Sequence, residues 1–391
     1  MPTYPTYKLS EIARSTKGKK PKSVSKEKTD GFKIPYVDIK AFEKGMVDNY
    51  TNGENCTFCK PDDVLIVWDG ARCGFVGRGV EGAIGSTLAK ISSDKYTNDF
   101  LFYFLQSKYK VLNSNPRGVG IPHIEPNLLW NFEIPDVDKT TQQAIVARIE
   151  ALFAELNKAA EHLRTAQQQL KTYRQAVLNH WLNNEDGKWE MVPIKEIISV
   201  ISNGSTPKAD KMFSKGEIQF LKVYNLNFDG SINLSKEPVF IERDTHETLL
   251  KRSQTKQGDV LINIVGPPLG KVSIIPEGEK EYNINQAIVM FRPNEFVTSK
   301  FLAYYLMSPQ VIAWLTSTSK ATAGQYNVKV STCREIMFPK ISISDQHRIV
   351  QEIESRLSQA EAAEASIAEA LQKTEALRQS ILKKAFSGEL V

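Results

Sequence analysis

Between Gln142 and Leu182 the chain contains no Gly or Pro, and its apolar residues fall at Ile145, Ile149, Leu152, Leu156, Ala159, Leu163, Ala166, Leu170, Tyr173 and Val177. The spacing alternates four and three, which is a heptad seam on one continuous helix. Asp138 and the Thr140-Thr141 pair offer N-caps at its start. At about 1.5 Å per residue the helix is roughly 60 Å long, too long for the core of one small domain.

The same stretch occurs a second time. Gln142-Gln143-Ala144-Ile145-Val146 returns as Gln346-His347-Arg348-Ile349-Val350, and Tyr173-Arg174-Gln175-Ala176-Val177-Leu178 returns as Leu377-Arg378-Gln379-Ser380-Ile381-Leu382. The offset is the same at both ends, so the register holds without a gap. The second seam reads Ile349, Ile353, Ala360, Ala363, Ile367, Ala370, Leu377 and Ile381, interrupted by Arg356 and Thr374. Two long helices with unsatisfied apolar stripes are most simply buried against each other.

The repeat extends beyond the helices. Leu9-Ser10-Glu11-Ile12 matches Ile194-Lys195-Glu196-Ile197, and Ile34 to Ile39 matches Ile218 to Val223. Asp63-Val64-Leu65-Ile66 recurs identically as Asp259-Val260-Leu261-Ile262, and Phe100 to Ser107 returns as Phe301 to Ser308. Two large copies make a tandem duplication and not a solenoid, whose units run about 20–50 residues. Each copy reads as an opening amphipathic segment, short β-rich runs broken by Gly, Pro, Asn and Asp, an aromatic helix, a last strand ending in Pro, and the long helix. The fold class is α+β, with domains at 1–138 and 185–342 alternating with helical segments at 139–184 and 343–391.

Length and charge set broad bounds. The 391 residues suffice for two or three domains. A net charge of +5 permits a nucleic-acid partner without demanding one. The first residues are polar, so no leading signal peptide is expected, and no run reaches the ~20 apolar residues of a membrane span. A cytoplasmic protein is expected. Cys56 and Cys59 form a lone C-x-x-C that lacks the second ligand pair of a zinc site, with Cys73 the one nearby candidate. Free thiols, and no bound metal, are expected.

Three places match between the copies and carry candidate binding residues. The loop after the opening segment is basic in copy one, with Arg14, Lys17, Lys19, Lys20, Lys22, Lys26 and Lys28 against Glu27. Copy two has Ser205, Thr206, Lys208, Lys211 and Lys215 there. Such loops place ammonium groups and backbone N–H on phosphates; a solvated surface loop is the alternative. The turn after the Asp-Val-Leu-Ile strand carries glycines with Arg72 and Arg78 in one copy and Lys271 in the other. It suits close approach to a nucleic-acid backbone, or a simple tight hairpin. Its Gly266 to Lys271 segment misses the phosphate-loop pattern by one residue and by Val272 in place of a hydroxyl. The loop before the last strand carries Arg117 and His123 in copy one, and Lys320, Gln325, Tyr326 and Asn327 in copy two. Arg pairs with guanine, and Asn or Gln with adenine, in the major groove. Lys222 and Asn225 complete the candidate set.

No dinucleotide fingerprint, H-E-x-x-H or G-x-S-x-G is present in the sequence. Pro135-Asp136-Val137-Asp138-Lys139 has the letters of nuclease elements, but compressed into a helix entry where Asp138 is a cap. The chain reads as a binding scaffold.

Two divergent globular units alternating with two similar long helices resemble the specificity subunit of Type I restriction–modification enzymes. The helix openings Gln142 to Glu150 and Gln346 to Glu354 carry the resemblance, with the closing Ile381 to Val391 and the strand Gly258-Asp259-Val260-Leu261-Ile262. Copy one departs from that strand pattern with Asp62 in place of Gly. The resemblance implies two target-recognition domains, each reading half of a split double-stranded DNA target. It implies spacer helices packed as an antiparallel coiled coil with pseudo-two-fold symmetry, and a rod length that sets the gap between half-sites. Two modification subunits would bring S-adenosylmethionine, and restriction/translocase subunits ATP and Mg²⁺, while this chain binds no cofactor and carries no active site. The modification subunits would dock on helix faces near Ala147, Arg148 and Ala151. A coiled-coil scaffold with two protein-binding heads is the alternative.

Overall fold

The computed structural model describes residues 4–118, 120–198, 200–278, 280–322 and 324–390. The first long helix spans Lys139–Leu182 (44 residues) and the second Ile343–Ser387 (45 residues). Asp138 caps the first by accepting from Thr141 N at 2.7 Å, and Ser342 caps the second by accepting from Asp345 N at 3.1 Å. Hydrogen bonds donated by the Thr141 backbone and side chain hold the Asp138 carboxyl below its usual range.

The chain divides into two compact units, and the division runs through the long helices. Unit 1 is the chain up to Arg164 together with the segment from Ala368 onward; unit 2 is Thr165–Ile367. Heads and rods are therefore not separate bodies. In each unit the start of one long helix lies beside the end of the other, an antiparallel pairing. Arg378 bonds Asn157 in unit 1, and Arg174 bonds Glu364 at 3.0 and 3.3 Å in unit 2.

Both heads are built on the same four-stranded antiparallel sheet. Unit 1 orders Arg14–Lys17, Leu88–Ser92, Val64–Val67 and Val76–Arg78; unit 2 orders Val200–Asn203, Ile288–Arg292, Val260–Asn263 and Val272–Ile274. The repeated Asp-Val-Leu-Ile strand is central and buried on both faces. Val64 and Ile66 face the helices while Leu65 faces the second sheet; Val260 and Ile262 alternate with Leu261 in the same way. The second sheets pair Ile34–Val37 with Gly82–Ile84 and Ile218–Leu221 with Tyr282–Ile284, both in parallel.

The ends of the long helices complete these cores. Leu382 and Ala385 are buried in unit 1, where the Phe386 ring meets Phe100 and Phe104 edge-on at 5.2 and 5.3 Å. Val177, Leu178 and Leu182 do the same in unit 2. Each head thus packs on the helix that follows it and on the end of the other one.

The seam differs in detail from the heptad reading. Tyr173 and Leu377 are 38% and 51% exposed, and their neighbours Arg174 and Arg378 turn inward. Ala160 is buried in place of Ala159, and Leu357 packs while Arg356 is exposed. A straight helix drifts about 20° per heptad against a strict seven-residue repeat, so the buried face moves over by one residue. Thr374 stays inside because its hydroxyl donates to Ala370 O at 2.9 Å.

Two buried glutamines join helix to head at matched positions. Gln142 Oε1 accepts from Thr97 N at 2.9 Å, while Nε2 donates to Val137 O at 3.0 Å and Lys95 O at 3.3 Å. Gln346 Oε1 accepts from Thr298 N at 2.9 Å, while Nε2 donates to Phe296 O at 2.7 Å and Ile341 O at 3.3 Å. Replacing either by Leu leaves an N–H and two carbonyls buried without partners. Each substitution is expected to destabilise its own unit by on the order of 3 kcal/mol, read as a lowered urea midpoint for that unit.

Unit 2 also buries His246, whose Nδ1 lies 3.2 Å from Asn283 Nδ2 and whose Nε2 lies 3.8 Å from Glu281. Glu281, Arg243, Glu247 and Glu217 are the charged groups facing it. Burial pulls its pKa below the ordinary value. A His with a depressed folded pKa contributes full stability above its unfolded value of about 6.5 and loses it as pH falls toward the folded value. Unit 2 is expected to melt earlier at about pH 5.5 than at about pH 7.5, with a smaller difference in His246→Gln, by scanning calorimetry.

Candidate nucleic-acid interface

The three matched loops come together at one end of each four-stranded sheet, joined by the same backbone bonds in both units. The first loop turns at Gly18, whose N–H donates to Leu88 O at 2.8 Å; its repeat Gly204 donates to Ile288 O at 3.3 Å. A Cβ would lie 2.1 Å from Gly85 O at Gly18 and 1.8 Å from Ile284 O at Gly204, so only Gly passes there. The second loop is tied through Trp68 N to Thr87 O at 2.8 Å and through Ile264 N to Ala287 O at 2.9 Å. The third is tied to the second through Ile124 N to Trp68 O and Val328 N to Ile264 O, both at 2.9 Å. Asp69 bridges to His123, and Val265–Gly266 pairs with Gln325–Asn327.

In unit 1 the organiser is Asp69. Its carboxylate holds Lys17 Nζ at 2.9 Å and His123 Nδ1 at 2.7 Å. One anion therefore fixes a cation from the first loop and an imidazole from the third. Lys19, Lys20 and Lys22 are exposed along the first loop, and Arg117 is exposed opposite His123 in the third. Among the described residues these four cations make no ion pair. Ile121, at 65% exposure, stands at the tip of the same loop.

In unit 2 the mouth is less charged. Ser205 is half-buried, and Thr206 bonds Gln286 across from it. Lys208 is exposed and Lys211 half-exposed on the short turn Ala209–Lys211. Tyr326 packs partly on the core, and Asn327 is exposed. The side chains of Lys320 and Gln325 lie outside the described residues; their backbones pair with Asn327 and Thr322.

Several sequence candidates stand elsewhere. Arg78 pairs with Asp99 and stacks 4.2 Å over Phe102, on the helix side of the sheet. Arg72 pairs with Glu43 at 2.7 Å and stacks 4.1 Å over Phe75. Asn225 is buried: its Nδ2 donates to Asn233 O and Lys236 O, and its Oδ1 accepts from Lys222 N. It is a structural residue of that loop, and Lys222 is half-buried beside it. Lys271 Nζ donates to Val223 O at 3.3 Å, and burial lowers its pKa. Intramolecular partners, invisible in the sequence, engage these residues. Asp69, Gln286 and Ile121 were missed. The signal for Asp69 was its place in the repeated turn, hidden because copy two has Val265 there.

Two heads that end in the same three-loop mouth, each braced by two shared helices, define a duplicated recognition protein. The Type I restriction modification DNA specificity domain matches residues 1–163 and 186–372, and the chain belongs to that family. It is 27% identical over 387 residues to the Type I restriction enzyme EcoBI specificity subunit of Escherichia coli, covering 91% of this chain and 80% of that protein. It is 25% identical to the MjaVIII specificity subunit of Methanocaldococcus jannaschii, covering 89% and 84%. Its fold is similar to a structure described under complex assembly and conformational transition of the type I R-M system, with a TM-score of 0.71 at 19% identity over 100% and 99% of the two chains. The HsdS subunit of Thermoanaerobacter tengcongensis gives a TM-score of 0.54 at 20% identity over 100% and 98%. No helix among the described residues is long and apolar enough to cross a membrane.

Proposed function

We propose that this chain is the DNA-sequence-recognition subunit of a Type I restriction–modification complex, each head reading one half of a bipartite double-stranded target. One observation carries the reading: the same three loops are knit by the same backbone bonds in both heads of a DNA-specificity family member. Lys19, Lys20 and Lys22 in unit 1, and Lys208 and Lys211 in unit 2, are suited to phosphates, which position the protein without specifying sequence. Arg117, His123, Tyr326 and Asn327 project from the third loops, where donors and acceptors meet base edges. The heads differ there, so the two half-sites differ.

The chain itself is the non-catalytic, cytoplasmic member of the assembly and holds no cofactor. Two modification subunits bring S-adenosylmethionine and methylate adenine in each half-site; restriction/translocase subunits add ATP and Mg²⁺. Ala147, Arg148 and Ala151 are exposed on the first long helix and offer a docking face to the modification subunits.

Lys19→Ala, Lys20→Ala and Lys22→Ala combined are expected to weaken binding to every duplex alike and to lower the salt slope by about 3, measured by anisotropy across a salt series. Binding that stays flat with salt in the wild type would sink the DNA reading. Single-molecule sequencing of host DNA is expected to find one bipartite methyladenine motif that disappears when this chain is deleted. Gln325→Ala with Asn327→Ala should change one half of that motif and leave the other; an unchanged motif removes these two residues from base reading.

A further inference from the structure

The relation between the two copies exposes a difference on the helix side of the heads. In unit 1 a cavity of about 180 Å³ lies between head and long helices, lined by Phe75, Gln106, Phe153 and Arg378 among others. At the corresponding place in unit 2 the cavity is about 640 Å³. The linings match residue by residue under the repeat: Arg378 corresponds to Arg174, Leu382 to Leu178, and Phe153 to Leu357.

One side chain differs at the centre of the two linings, Phe153 against Leu357. In unit 1 it lies 4.9 Å under the Arg378 guanidinium and meets Tyr103 edge-on at 5.9 Å. In unit 2 Arg174 and Tyr304 hold the equivalent positions, but Leu357 supplies no ring. Glu364 holds Arg174 by two in-plane bonds at 3.0 and 3.3 Å, which leaves the guanidinium faces for stacking. Phe228, 54% exposed, extends the apolar wall. At the rim Asp229 is an exposed carboxylate; Glu361 lies 3.8 Å from Arg174 Nη1, and Lys171 lines the side formed by the first long helix.

We propose that the unit 2 cavity receives an aromatic side chain with a basic neighbour, presented by a modification subunit. The ring stacks on Arg174 as Phe153 stacks on Arg378, and the basic residue meets Asp229. In unit 1 Phe153 already holds the stacking position, so the two modification subunits are held unequally. The inference rests on the proposed function, which supplies the partner.

Leu357→Phe tests it by giving unit 2 the ring that unit 1 already carries. The variant is expected to keep or raise the unit 2 melting temperature and to bind DNA as the wild type does. Affinity for purified modification subunits of its own system should fall at one of two positions by at least about tenfold, measured by sedimentation velocity. A photo-crosslinking phenylalanine analogue in place of Phe228 should capture the modification subunit. That second measurement decides the matter if Leu357→Phe folds poorly. Assembly of a folded Leu357→Phe chain with unchanged affinity, or no crosslink in an assembled complex, would overturn this inference alone. A wild-type chain that forms no complex with modification subunits would overturn the proposed function, and this inference with it.

Discussion

Each long helix is oriented on its head by the amide group of one buried glutamine, Gln142 or Gln346. Each sits on the first turn of a long helix, and each satisfies one N–H of the head's aromatic helix entry and two carbonyls of adjoining loops. An unpaired buried polar group costs more than a typical made bond returns. The head must therefore meet the helix in the one orientation that satisfies all three partners.

The second constraint is that neither head has a complete core of its own. Phe386, Leu382 and Ala385 come from the end of the chain to close the core of unit 1, and Val177, Leu178 and Leu182 close that of unit 2. Within each unit the apolar stripes of the long helices are thus used twice, against each other and against the head. This is why the compact units cut across the helices. The mouths inherit their order from a central strand buried on both faces, Val64–Val67 or Val260–Asn263, which leaves the loops at its end free to vary while their backbone ties stay fixed.

Duplication also makes the exceptions informative. Where the copies share a residue, as at Gly18 and Gly204, a steric requirement explains it: a Cβ at either site would strike a carbonyl oxygen. Where they differ, as at Phe153 and Leu357, the arginine of unit 1 has a ring beneath it and unit 2 has an aliphatic side chain at that place. The sequence candidates whose side chains the fold engages share one feature. Arg78, Asn225 and Lys271 have the side chains of nucleic-acid ligands, but Asp99, the Asn233 and Lys236 carbonyls and the Val223 carbonyl already take up their donors. Charge and spacing report what a side chain can do; whether a partner within the fold has already claimed it depends on residues tens of positions away.

The sequence by itself determined the duplication, the two uninterrupted helices, the buried Asp-Val-Leu-Ile strands and the three matched loops. These depend on local periodicity and on self-similarity, both of which are written along one line of residues. Only the tertiary structure decided which helix face is the seam, since drift from the heptad turned Arg174 and Arg378 inward and Tyr173 and Leu377 outward. It also decided that Asp69 gathers Lys17 and His123 into one mouth. That depends on three chain segments converging, and convergence is set by packing, not by local pattern.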